Sequence, residues 1–238
     1  MDKNIIGIIG GMGPQASAEF YRMLIMQARV HYGAHENSDY PELLIDSVPV
    51  PDFLSDTKQM EKASLMSEDR VKRLTMYGVS TITIACNTAC ILIKRLQKST
   101  CVSIVSVVEE VVKEVEKDNR KILLLASPTS LQAGLYQSAF KQHGISYVVP
   151  TTKELKELEC IIRGIIDNEN KEPFTKNLAD IADRYGEKDN IQGIVLGCTE
   201  LPLAFPTTYR LPVYSSLSIL ADTLLKMYFH GKEVNTYE

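Results

Sequence analysis

The sequence predicts an α/β protein of two similar domains, each a parallel sheet flanked by helices, related by a pseudo-two-fold with a cleft between them. Three observations carry this expectation. Short apolar runs alternate with longer segments of helical periodicity, the pattern of parallel strands covered on both faces. The second half echoes the first: an apolar strand, a loop and Tyr21 correspond to a strand, a loop and Tyr136, 115 positions on. Cys86 and Cys198, each following an apolar run, lie 112 positions apart, so the offsets imply two copies of a unit of about 110 residues. The chain of 238 residues is long enough to bury a sizeable core in either one large domain or two small ones.

The elements follow in order. Residues 5–9 are a buried strand that runs into Gly10-Gly11-Met12-Gly13-Pro14, and Pro14 suits the first turn of a helix reaching about residue 31. Residues 43–45 form a second strand, followed by an irregular loop through Pro49 and Pro51. A charged amphipathic helix spans about 58–77; Gly78 ends it, and residues 79–85 are the third strand. A helix opening at Asn87-Thr88 runs towards Leu96. Residues 104–105 read as a short strand, 107–115 as a helix and 121–126 as a strand with the loop Ser127-Pro128-Thr129-Ser130. A helix then carries Leu135, Tyr136 and Phe140, residues 145–149 are a strand, and helices fill about 153–167 and 171–185. The strand 193–196 leads into Cys198; residues 201–203 and 211–214 read as connectors before a last helix over about 218–229. That helix begins no third copy, so its simplest use is to return and pack on the first. The domains are therefore read as 1–104 plus 207–238, carrying Cys86, and 105–206, carrying Cys198.

Composition excludes several classes of function. Hydrophobic content of 45% and charged content of 24% are ordinary for a globular protein. With a formal net charge of −4 and no Lys/Arg block, the footprint of a nucleic-acid binder is missing. The N-terminal apolar run is too short for a signal segment, and no later run reaches a membrane span, so a cytoplasmic protein is expected. Five cysteines without a C-x-x-C pair read as free thiols. Cys101 and Cys160 are expected to be small buried hydrophobes, and Cys90 to belong to the core. Cys86 and Cys90 stand four apart, but His31, His35, His143 and His230 are scattered, so no metal site is expected.

The chemistry gathers at the two cysteine motifs. Cys86 sits at the carboxyl end of a buried strand, where open α/β sheets place ligands, and at a helix start, whose dipole and free N–H groups favour a thiolate. Cys198 repeats the arrangement in Gly197-Cys198-Thr199-Glu200. Asn87-Thr88 and Thr199-Glu200 suit N-caps, and a capped helix start beside a thiol is where a substrate carboxylate would bind. Gly11-Met12-Gly13-Pro14-Gln15-Ala16 fits a loose dinucleotide pattern, but the acid that would hold the ribose, Asp46, comes 35 positions after Gly11 rather than about 20. A helix start that holds a small carboxylate fits this loop better.

Gly10-Gly11-Met12-Gly13-Pro14, Cys86-Asn87-Thr88-Ala89 and Gly197-Cys198-Thr199-Glu200-Leu201-Pro202 together resemble the aspartate/glutamate racemase family, which needs no pyridoxal phosphate; Glu200 and the glycine-rich opening look like its aspartate racemase branch. The resemblance covers nearly the whole chain. It implies an amino-acid racemase without a cofactor, usually a homodimer, with its site between two α/β domains and with Cys86 and Cys198 as the acid/base pair. Met12, Asn87, Thr88 and Thr199 would contact the amino acid, chiefly its α-carboxylate and amine. Apart from the resemblance, Gly13 is read as a further substrate contact, and Glu200 or Asp46 as the group that holds the ammonium or orients a thiol, the alternative being a purely structural role. Many aspartate racemases carry an Arg after the second strand for the side-chain carboxylate; Phe53 stands there in this chain, with Thr57 a little further on at a position where some members place a polar side chain. Cys90 replaces a frequent His, and Ser215 and Leu220 stand where Asp and His are often found. Two groups on opposite faces of the α-carbon, one deprotonated and one protonated, suit racemisation. The alternatives are a thiol-dependent lyase or isomerase of the same superfamily, of the maleate isomerase or malonate decarboxylase type, and a non-catalytic carboxylate-binding protein on the same fold.

Overall fold

The computed structural model describes residues 4–51 and 58–233. Among them the strands form two four-stranded parallel sheets. In the first half, β1 (Ile5–Gly10) is buried throughout and leads to α1 (Pro14–Tyr32), whose Ala16, Phe20, Leu24 and Ala28 recur at helical spacing on one buried face. A short 3-10 turn, Asn37–Asp39, precedes β2 (Glu42–Ser47). Then come α2 (Met60–Tyr77), β3 (Thr81–Ile84), a 3-10 turn over Thr88–Leu92, the single-turn α3 (Ile93–Leu96), and β4 (Ile104–Val105).

The second half repeats the plan. It comprises α4 (Val107–Glu116), β5 (Ile122–Ala126), α5 (Pro128–Gln132), α6 (Leu135–Gln142), β6 (Tyr147–Val148), α7 (Thr152–Asp167), α8 (Glu172–Asp189), β7 (Gly193–Gly197), β8 (Val213–Ser215) and α9 (Ser216–Glu233). The sheet orders are β2-β1-β3-β4 and β6-β5-β7-β8, so equivalent strands occupy equivalent places. The expected two-domain α/β architecture is the one observed.

Several local expectations need correction. Residues 127–130 are not a loop: Ser127 Oγ accepts from the Ser130 N–H at 3.2 Å and Pro128 occupies the first turn, so the segment starts α5. Residues 211–214 are more than a connector, because Val213–Ser215 pairs with β7 as an edge strand of the second sheet. The segment after Cys86 is mostly 3-10 rather than α-helix. The strand expected over 145–149 shrinks to Tyr147–Val148. Cys101 and Cys160 are exposed, not buried, and Cys90 is half-buried against the core.

One apolar cluster spans both halves. Ile6 and Ile8 of β1, the valine face of α4, Ile122 and Leu124 of β5, and Leu217, Leu220 and Leu224 of α9 all belong to it. Helix α9 packs on α1 of the first half and on α4, the helix that opens the second. Among the described residues no helix is long and apolar enough to cross a membrane.

Candidate active site

Each sheet delivers one cysteine from the carboxyl end of an inner strand. β3 lies between β1 and β4, and Cys86 follows two residues after its end; β7 lies between β5 and β8, and Cys198 follows directly. Both side chains line one cavity of about 300 Å³, at the small end for sites that take small molecules. Of the residues expected at the site, Met12, Gly13, Asn87, Thr88, Thr199 and Glu200 line the same cavity. Thr57, like Phe53, lies outside the described residues. Asp46 sits on β2 and pairs with Arg70 at 3.6 Å. Among the described residues no cluster of His, Cys, Asp and Glu has the makings of a metal site.

The loop after β1 reaches the cavity through a turn that only glycine allows at residue 11. Gly11 has φ of 90°, and a Cβ there would stand 2.5 Å from the Val48 carbonyl oxygen. Ser17 Oγ accepts from the Gly11 N–H and donates to the Gly13 carbonyl, both at 2.9 Å, and so fixes the loop from inside α1. The Gly13 N–H then donates to Glu200 Oε1 at 3.3 Å, joining the first half's loop to the second half's cysteine motif.

Asn87 and Thr88 are not side-chain caps. Asn87 Nδ2 donates to Ser216 Oγ at 2.9 Å and Oδ1 accepts from Tyr136 Oη at 2.5 Å, while Thr88 Oγ1 pairs with Ser127 Oγ at 2.8 Å. All of these groups are buried. In place of capping, the two side chains bind the Cys86 turn to α5, α6 and α9. Glu200, the residue before the 3-10 turn Leu201–Leu203, makes no side-chain cap either; its Oε2 accepts from Cys198 Sγ and Thr199 Oγ1, each at 3.0 Å.

The electrostatics reverse the expectation of acidified thiols. Burial, with the Glu200 carboxylate nearby, pushes the Cys86 thiol up to about 12, and the N–H groups of Ala89 and Thr88 offset only part of that rise. The Cys198 thiol is also raised well above its ordinary value, by burial first and then by the charge and hydrogen bond of Glu200. A charge on Cys86 raises Cys198 further, so the pair resists double ionisation. Cys90, off the cavity, is raised to about 11 by burial. Its sulfur donates to the Cys86 carbonyl oxygen and accepts from Ser106 Oγ, each at 3.8 Å.

Val50, Pro51, Arg163 and Ile166 also line the cavity, and sequence reasoning singled out none of them for the site. Arg163 and Ile166 stand on α7, three residues apart, a spacing that puts both on one face. The Ile166 carbonyl accepts from Gln15 Nε2 of α1 at 3.2 Å, which ties this wall to the opposite half.

Comparison with known proteins gives a consistent result. The Asp/Glu/Hydantoin racemase family profile matches residues 9–224. A broad-specificity amino-acid racemase of Bacillus subtilis is 32% identical over 143 residues, 59% of this chain and 62% of that protein, so the match spans less than two thirds of its length. An aspartate racemase homologue from Pyrococcus horikoshii superposes with a TM-score of 0.80 at 30% identity, covering 96% of this chain and 100% of the other. An aspartate racemase from Picrophilus torridus gives 0.79 at 25% identity, with 95% and 94% covered.

Proposed function

The chain belongs to the Asp/Glu/hydantoin racemase family, and we propose that it interconverts the L and D forms of aspartate or glutamate without a cofactor, by proton transfer between two thiols and the α-carbon. The observation that carries this reading is the shared cavity: Cys86 from one half and Cys198 from the other open on the same small space.

With the α-carbon between the sulfurs, one thiolate removes the α-proton and becomes a thiol. The other thiol gives its proton to the opposite face and becomes a thiolate. One proton is taken and one returned, so the product is the mirror image and the two sulfurs have exchanged ionisation states. Both thiols are held protonated by burial and by Glu200, so forming the first thiolate is part of the work. The substrate ammonium, brought next to the sulfurs, supplies the positive charge that favours it. Glu200 Oε2 already accepts from Cys198 Sγ and so orients that thiol in the cavity. The developing carbanion spreads its charge onto the α-carboxylate, which needs donors. Asn87 has a second amide hydrogen beyond the one it gives Ser216, and the Thr88 hydroxyl, paired with Ser127 Oγ, flanks Cys86, whereas the Thr199 hydroxyl gives its one hydrogen to Glu200.

The test is α-proton exchange in deuterated water, with chiral chromatography over aspartate, glutamate and several neutral amino acids. Wild-type protein labels and racemises an acidic amino acid, and Cys86→Ala and Cys198→Ala do not. Absence of labelling across the whole panel overturns the reading.

A further inference from the structure

Two hydroxyls beside Cys86 share hydrogens in a way that burial decides. Thr88 Oγ1 and Ser127 Oγ stand 2.8 Å apart, and either oxygen can supply the donor. Thr88 is 4% exposed and lines the cavity, whereas Ser127, the cap of α5, is fully buried and does not line it. The pair holds two hydrogens, and the bond between them uses one. Ser127 Oγ also accepts from the Ser130 N–H at 3.2 Å, and among the described residues Thr88 Oγ1 is the one acceptor its own hydrogen has. With Thr88 as donor, the Ser127 hydrogen is stranded in the interior, a loss that buried polar groups avoid. With Ser127 as donor, the hydrogen left over belongs to Thr88, which alone of the two can give it to a ligand. Asn87, next to it, is held in a similar manner: Oδ1 accepts from Tyr136, Nδ2 gives one hydrogen to Ser216, and one amide hydrogen is left.

We propose that Ser127 is a positioning residue for the reaction: by donating to Thr88 Oγ1 it commits the Thr88 hydroxyl to present its hydrogen to the substrate α-carboxylate. The inference rests on the racemase reading and adds to it a residue that touches neither substrate nor sulfur. A hydroxyl that accepts a hydrogen bond is polarised as a donor of its own. The carboxylate it meets gains charge as the α-proton leaves, so the bond strengthens towards the transition state. Its loss therefore lowers kcat and kcat/KM together and leaves KM nearly unchanged. Ser127 opens α5 in the second half, while Thr88 follows Cys86 in the first. The orientation of a first-half donor is thus set by the second half.

The experiment is a double-mutant cycle of Ser127→Ala and Thr88→Val, read by α-deuterium exchange with aspartate and glutamate. Alone, Ser127→Ala lowers kcat about 5- to 10-fold, the size of one hydrogen bond, with KM little changed. In the Thr88→Val background the same change alters kcat less than about twofold, because the hydrogen that Ser127 orients is gone. Loss of the α5 cap, a purely structural effect, would carry over undiminished. Ser127→Gly runs the same cycle with the hydroxyl removed and the cap position less disturbed, and it stands in for Ser127→Ala if circular dichroism shows that variant unfolded. Equal losses in the two backgrounds, or no loss on removing the Ser127 hydroxyl, overturn the proposal. If wild type labels no amino acid, the racemase reading fails, and thermal stabilisation by succinate is read through the same cycle. Ser127 then keeps its assignment if succinate stabilises wild type more than the Ser127 variant and the difference vanishes in the Thr88→Val background; any other pattern removes it.

Discussion

Tyr136 Oη donates to Asn87 Oδ1 at 2.5 Å, and the same tyrosine ring lies against Gly197, where an added Cβ would come within 2.8 Å of Tyr136 Cε2. One fully buried side chain therefore touches the residue after Cys86 and the residue before Cys198. The placement of the two thiols relative to each other depends on it.

Tyr136→Phe keeps the ring and deletes the donor, leaving Asn87 Oδ1 buried without this partner. The expected cost is about 1–3 kcal/mol of stability, read from urea unfolding, with a fall in racemisation beyond what the stability loss explains. An unchanged midpoint and rate would show that the bond contributes nothing.

Gly197→Ala attacks the same junction by crowding. The new methyl meets Tyr136 Cε2, Leu124 Cδ1 at 3.1 Å and Ala126 Cβ at 3.2 Å, and all three side chains are fully buried, so none has open space to move into. Overpacking of this kind costs about 1–3 kcal/mol, and differential scanning calorimetry should register it as a lower Tm.

Glu200→Gln removes the carboxylate that raises both thiols. Cys86 and Cys198 should then ionise at lower pH, and their alkylation by iodoacetamide at pH 8, followed by peptide mass mapping, should accelerate relative to wild type. The exposed Cys101 and Cys160 serve as internal controls. The alkaline rise of kcat/KM should move to lower pH, while maximal turnover falls because the carboxylate that orients the Cys198 thiol is gone.

Stability should decline at high pH. Folding raises Cys86 from 9.0 to about 12 and Cys90 to about 11, so the unfolded chain releases these protons first. The contribution is complete below about pH 9 and is lost as pH climbs towards the folded values. Cys86→Ser and Cys90→Ser should each flatten the fall in Tm between about pH 9 and pH 11; a slope identical to wild type would contradict the assignment.

Much of the fold was legible because β1, β5 and β7 are buried on both faces and so read as apolar runs, while β3, equally buried, is marked by isoleucines alternating with the β-branched Thr81 and Thr83. Val213–Ser215 escaped because it is three residues long, follows Pro212 and gains strand character only by pairing with β7. Ser127-Pro128 did carry a helix-start signal, a capping serine before proline, that its loop-like composition hid. The exposure of Cys160 was also readable: Leu158, Ile161, Ile162 and Ile165 define the buried side of α7, and residue 160 falls off it. The cysteine motifs announced themselves by position, strand end and helix start. Arg163 and Ile166 had no such local mark, since their place at the cavity follows from how α7 lies against the first half. The direction of the thiol shifts depended on burial depth and on a carboxylate within reach of both sulfurs, neither of which a linear motif records.

The halves share a strand plan but not their chemistry, for one cysteine is followed by Asn87-Thr88 and the other by Thr199-Glu200. A mirror-image interconversion has an equilibrium constant of unity, so the overall second-order rate constants of the two directions must agree however unlike the sulfurs are. The inequality that Glu200 introduces can therefore surface only as paired differences in saturation and turnover: the enantiomer held more tightly is the one processed more slowly.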